Sequence, residues 1–167
     1  MNNSLGLRTG AIALAAMVGA FSANAQFSRP EAGTPQAGSA AAIPQPQLVQ
    51  PEALHRLLLA PGTDRPLVLQ VGSHVLFAEA HIPGSEYAGP GARPQGLELL
   101  QNRLAPVSRK TPIVLYCGCC PWGRCPNVEP AFAKAREMGF INVKVLYLAD
   151  NFGADWVSKG YPVENGR

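Results

Sequence analysis

The chain has 167 residues, 47% of them apolar, with four cysteines and a formal charge of +3. That length suits one domain with a tail and a core of ordinary size. The charge is too small to argue for nucleic acid or an anionic membrane surface as a partner.

Residues 1–25 read as a signal peptide. Arg8 gives a positive start, an apolar stretch runs from Ala11 to Phe21, and Ala23-Asn24-Ala25 offers the small-x-small pattern that signal peptidase cleaves. The stretch is shorter than the roughly 20 residues that span a bilayer, and no later stretch is long and apolar enough to cross one. A periplasmic or secreted protein is therefore expected, with no membrane span after signal removal. Loss of Arg8 lowers the charge from +3 to +2.

Residues 26–48 hold Pro30, Pro35, Pro44 and Pro46 among Ala, Gly and Gln, with no apolar period, which predicts a flexible linker. The domain is expected over 49–167. Leu54, Leu57 and Leu58 fall at helical spacing behind Pro51, which suits a first turn. Pro61-Gly62 ends that helix. Leu67 to Val71 is a short apolar run and predicts a buried strand. Val75 to Ala80 predicts a short helix, His81-Ile82-Pro83-Gly84 a turn, and Tyr87 a brief strand. Positions 97, 100 and 104 give Gly96 to Leu104 a helical spacing. Pro112 to Tyr116 and Val143 to Leu148 predict strong strands. Val128 to Met138 predicts a helix with Asn127 as N-cap and Gly139 as its stop. Asn151 to Lys159 predicts a last short helix. Strands and helices alternate and the strands are nearly all apolar, so a central parallel sheet flanked by helices is expected.

All four cysteines lie between positions 117 and 125. A disulfide framework would spread them out to close long loops, so clustering argues for local thiol chemistry or metal binding. The loop runs Cys117-Gly118-Cys119-Cys120-Pro121-Trp122-Gly123-Arg124-Cys125-Pro126, directly after a strong strand. Ligands bind beyond the carboxyl ends of such strands. Loop amides and the following helix's positive end would lower a thiol's pKa there and stabilise anions.

Three segments resemble the rhodanese family over roughly residues 50–165. Phe77 to Ser85 carries Phe-x-x-x-His-Ile-Pro-Gly-Ser, Ile113 to Cys117 is similar to the strand that ends in that family's catalytic cysteine, and Met138-Gly139-Phe140-Ile141-Asn142-Val143, Trp156 and Gly160-Tyr161-Pro162-Val163-Glu164 look like its closing half. The resemblance implies a three-layer rhodanese-like fold and a sulfurtransferase, in which a loop cysteine carries sulfane sulfur as a persulfide between a small sulfur-containing anion and a nucleophile or thiol acceptor. A thiol reductant protein is a further candidate partner, and this chemistry needs no cofactor. Position after the strand assigns the nucleophile to Cys117. The family's cysteine-to-arginine interval fits Cys119 and Arg124 instead. Strand geometry favours Cys117, with Cys119 and Cys120 as resolving thiols, Arg124 as the anion binder, and Gly118, Cys120, Trp122 and Gly123 as the substrate-binding loop. The chain departs from the family at Gln70-Val71-Gly72, where Asp-x-Arg is usual, at Leu76, at Ala80, and in a longer loop, which puts ordinary thiosulfate:cyanide turnover in doubt.

Two other readings fit the thiols. Cys117, Cys119, Cys120 and Cys125 could hold copper or zinc as an all-sulfur module, or the loop could exchange disulfides. His81 is expected to be a hydrogen-bonded structural residue, His55 and His74 surface residues, and Trp156 and Tyr161 packing residues.

Overall fold

The computed structural model describes residues 43–62 and 65–166. The expected signal peptide and most of the expected linker lie outside the described residues. Five strands carry the fold: β1 (Leu48–Val49), β2 (Leu67–Gln70), β3 (Glu86–Tyr87), β4 (Ile113–Tyr116) and β5 (Val143–Leu146). They form one sheet in the order β1-β5-β4-β2-β3, and every pairing is parallel. Among the described residues four α-helices connect them, α1 (Pro51–Leu59), α2 (His74–Glu79), α3 (Pro94–Leu104) and α4 (Val128–Glu137), and α5 (Phe152–Asp155) follows β5. No helix among the described residues is long and apolar enough to cross a membrane.

Side-chain alternation along the strands splits the core in two, as a period of two requires. Leu69, Val71, Ile113, Leu115, Val143 and Val145 pack with Leu100 and Leu104 of α3 and with Val128, Ala131 and Ala135 of α4. Val68, Val114, Tyr116 and Leu146 pack with Leu54 of α1, Phe152 of α5 and Trp156. The sheet is therefore covered on both faces, which is why β4 and residues 67–69 of β2 read as apolar runs. Of the three leucines spaced along α1, Leu54 is buried and Leu58 is partly buried, while Leu57 stays 41% exposed.

Composition places the domain's start at residue 49, but the ordered chain reaches further back. Ile43 is buried against the α3/α4 face, Gln45–Gln47 form a 3-10 turn, and Leu48 pairs with Val145. The cause is β5, which would otherwise present an open edge that this short strand covers.

Candidate functional site

β2 and β4 run in register up to Gln70 opposite Tyr116. The Val71 amide then donates to the Tyr116 carbonyl (2.7 Å), so the two chains leave the sheet together. Cys117 is the next residue after Tyr116. Its Sγ belongs to the α3/α4 side of the core, and the residue is 4% exposed. Tyr116 points the other way. Its hydroxyl accepts from the Ile82 amide (3.3 Å) and bonds Ser85 Oγ (3.1 Å), which fastens the 82–85 turn to β4.

The loop must reverse at once, and Gly118 allows it with φ of +80°. A Cβ there would lie 2.6 Å from Phe152 Cβ, so glycine is also demanded by close approach. The Gly118 carbonyl accepts from the Phe152 amide (3.1 Å), tying the loop to the start of α5. The Trp122 amide donates to the Ala149 carbonyl (3.0 Å), and the Trp122 ring lies 5.0 Å from that of Tyr147. Two anchors thus fix both arms of the loop over the carboxyl edge of β5.

The tethered loop gathers its sulfurs. Cys117 Sγ is 3.1 Å from Cys119 Sγ, and Cys119 Sγ is 2.8 Å from Cys120 Sγ. Cys125 is buried like Cys117, whereas Cys119 is exposed and Cys120 is half-buried; none of the four is in a disulfide. Asn127 Nδ2 donates to Cys117 Sγ (3.3 Å) and points toward Cys119 Sγ (3.9 Å), while its Oδ1 accepts from the Ala92 amide (3.0 Å). Asn127 does precede α4, but its side chain caps nothing. The sequence offers an ordinary reason for an asparagine there, and that reason hid its second role.

Sulfurs this close cannot all ionise, and the charge settles on one of them. Donation from Cys117, then from Cys119, and the amides of Asn127 and Val128 at the start of α4 hold Cys125 down to about 3 against its burial. Cys119 lowers Cys117, but donation to Cys125 together with burial outweighs this and pushes Cys117 up to about 12. Burial, followed by Cys119, raises Cys120 to about 12. Donation to Cys117 and Cys125 raises Cys119. The helix-end amides expected to converge on Cys117 therefore reach Cys125.

A cavity of about 520 Å³ opens beside Cys117. Leu76, Phe152 and Val157 give it apolar walls, and Gln70, Cys117 and Cys119 line it with polar atoms. Gln70 Nε2 donates to the Cys117 carbonyl (3.2 Å), and Gln70 Oε1 accepts from the Gly72 amide (3.1 Å). The departure at Gln70-Val71-Gly72 thus builds a neutral brace under the loop. Among the described residues, Glu79 is the one Asp, Glu, Lys, Arg or His side chain in the lining. Arg124 is exposed and is not part of that lining. Trp122 lines a smaller void of about 10 Å³ together with Cys117, Cys120 and Cys125. Gly123 turns the loop with φ of +79° and lies outside both.

The three histidines and Trp156 lie outside this cavity and make local contacts. His81 is buried, with Nδ1 2.8 Å from the Phe77 carbonyl and its ring stacked on Phe77 at 4.0 Å. His55 stacks on Tyr161, and His74 meets Tyr87 edge-on. Trp156 is fully packed and donates Nε1 to the Pro162 carbonyl.

A five-stranded parallel sheet, covered on both faces and carrying its reactive side chains on the loop after the central strand β4, defines an α/β domain with a cysteine-loop site. The fold is the rhodanese-like fold. The solution structure of the rhodanese-like domain of the Alr3790 protein from Anabaena sp. matches with a TM-score of 0.53 at 20% identity, over 71% of this chain and 79% of that one. A crystal structure of the same protein gives 0.54 at 20% identity, over 71% and 92%. The anaerobic ergothioneine biosynthesis enzyme of Chlorobium limicola, solved with its natural substrate trimethyl histidine, gives 0.53 at 21% identity, over 71% of this chain and 28% of that one. No family model matches the sequence, and no curated protein does.

Proposed function

We propose that this protein is an exported sulfurtransferase that carries sulfane sulfur as a persulfide on Cys117, taking it from a persulfide donor of low charge. The observation that carries this reading is Cys117 lining the 520 Å³ cavity directly after β4, with a second thiol 3.1 Å away. The lining also supports the choice of donor. Thiosulfate is a dianion and calls for cationic partners. The cavity offers apolar walls and Glu79, and Arg124 stands outside it.

In the first half-reaction the Cys125 thiolate, within 4.8 Å, takes the Cys117 proton, and the Cys117 sulfur so ionised attacks the outer sulfur of a donor R–S–SH. The donor's S–S bond breaks, a new S–S bond forms on Cys117, and the proton lost by Cys117 leaves on R–SH. An acceptor thiol then attacks the outer sulfur of the Cys117 persulfide, departs as a new persulfide, and returns Cys117 to the thiol. No net oxidation occurs in this cycle. If Cys119 attacks Cys117 Sγ instead, sulfide leaves and a Cys117–Cys119 disulfide remains, which a dithiol reductant protein must reopen. The leader-like segment with Ala23-Asn24-Ala25 supports export, and N-terminal sequencing of the protein made in a secreting host tests it: the mature chain starts at Gln26.

Intact mass spectrometry tests the chemistry. The full chain treated with cysteine persulfide, which has one carboxylate and one ammonium, gains one sulfur, Cys117→Ser abolishes the gain, and Cys119→Ser retains it. An adduct that persists in Cys117→Ser overturns the assignment.

A further inference from the structure

The cysteine cluster has a property that sulfur transfer does not require. That chemistry uses its thiols in pairs, Cys117 with Cys125 or with Cys119, yet the Sγ atoms of Cys117, Cys119 and Cys125 all lie within 4.8 Å of one another. Cys125 comes from the far end of the loop and is buried at 5% exposure. It is carried there by the turn at Pro121–Arg124, where the Arg124 amide donates to the Pro121 carbonyl.

We propose that Cys117, Cys119 and Cys125 form a three-sulfur binding site for a soft monovalent ion, Cu(I). The donor set is all sulfur: no imidazole or carboxylate among the described residues joins the three. Thiolates select Cu(I), zinc or iron–sulfur clusters. Structural zinc takes four ligands in a closed tetrahedron with sulfur at about 2.3 Å, which sets its sulfurs about 3.8 Å apart. The fourth sulfur here would be Cys120, which follows Cys119 directly in sequence and stands outside the trio whose Sγ atoms all lie within 4.8 Å of one another. Three sulfurs at the vertices of a triangle, with Cys120 left aside, fit a three-coordinate ion. The layout also supplies a way in, because Cys117 and Cys125 are buried while Cys119 is exposed at the rim.

Asn127 completes the arrangement from outside. Its Nδ2 faces both Cys117 and Cys119, and its Oδ1 is held by the Ala92 amide. Such outer partners orient sulfur ligands and are worth about 10–100-fold in affinity. The inference stands on the cluster alone and does not rest on the persulfide reading. The two share sulfurs, so Cu(I) and sulfane sulfur exclude each other on Cys117.

The test is a Cu(I) titration of the full chain, anaerobic and reduced, against bicinchoninate as the competing ligand. One Cu(I) binds per chain, and X-ray absorption shows three sulfur neighbours. Cys119→Ser and Cys125→Ser each weaken binding by more than the roughly 10–100-fold that an outer partner contributes, whereas Cys120→Ser retains one tightly bound ion. Circular dichroism confirms that each variant is folded, and the exposed position of Cys119 makes its variant the decisive one should Cys125→Ser not fold. The inference is overturned if Cys119→Ser binds Cu(I) as tightly as the parent, if Cys120→Ser loses as much as Cys119→Ser, or if equimolar Zn(II) displaces the copper. Because the readout is metal binding, its failure leaves the persulfide assay untouched, and the converse holds.

Discussion

Asn127 and Cys117, ten positions apart, meet through a 3.3 Å contact from Nδ2 to Sγ, and the other end of the same amide holds the turn before α3. One buried side chain thus joins the thiol loop to the helix layer that covers it. Asn127→Ala leaves the exposed Ala92 amide to water and the Cys117 sulfur without its donor, and is expected to cost about 0.5–1.5 kcal/mol, the net worth of an ordinary hydrogen bond. Asn127→Asp keeps the acceptor but turns a carboxylate oxygen toward the sulfurs. It should recover most of the stability while slowing sulfur loading of Cys117. Urea unfolding and the persulfide mass assay together separate the two effects; equal stability of Asn127→Ala and the parent would remove Asn127 from the framework.

Gly72 is the floor beneath Cys117. A Cβ at that position would lie 2.7 Å from Cys117 Sγ and 3.0 Å from Gln70 Nε2. Gly72→Ala must therefore displace the thiol or the glutamine brace, with an overpacking cost of about 1–3 kcal/mol. Sulfur loading should fall by more than in Gly84→Ala, a site with open space around its Cβ position but with φ of +73°. A Gly72→Ala protein that loads sulfur at the parent rate contradicts the placement of Cys117.

Arg124 lies outside the cavity lining and is exposed. Arg124→Ala is expected to leave loading from cysteine persulfide within about twofold, and stability within about 0.5 kcal/mol as for other surface changes. A tenfold or larger drop would restore it as an anion binder, the role its interval from Cys119 suggested.

The edge strand β3 supplies a pH test. Arg103 of α3 donates to both carboxylate oxygens of Glu86, and these bonds hold the Glu86 carboxyl below its usual 4.5. A depressed carboxyl stabilises the fold above its unfolded pKa, and that contribution is lost as pH falls through the folded value. Both side chains are more than a third exposed, so the pair is worth less than about 1 kcal/mol. Urea midpoints of the parent and Arg103→Leu should differ near pH 7 and draw together as pH falls from 4.5 downward; a difference that stays constant over that fall would point to lost packing instead.

Local chemistry made much of this protein legible. Ile113 to Tyr116 is an apolar run too short for a helix, Val143 to Leu146 is a short apolar segment interrupted by the exposed Lys144, and α4 shows its buried face at Val128, Ala131 and Ala135. Such periods depend only on neighbours a few positions away, so the alternation of elements, the parallel sheet and the place of the thiol loop could be read from the order of residues. Tertiary structure alone decided which sulfur is buried and which stands at the rim. It also decided that Gln70, 47 positions from Cys117, braces its carbonyl, that Asn127 serves thiols rather than a helix end, and that Arg124 stays outside. Those outcomes turn on ångström distances between segments far apart in the chain. Such distances are set by how the layers pack, and no spacing along the sequence encodes them.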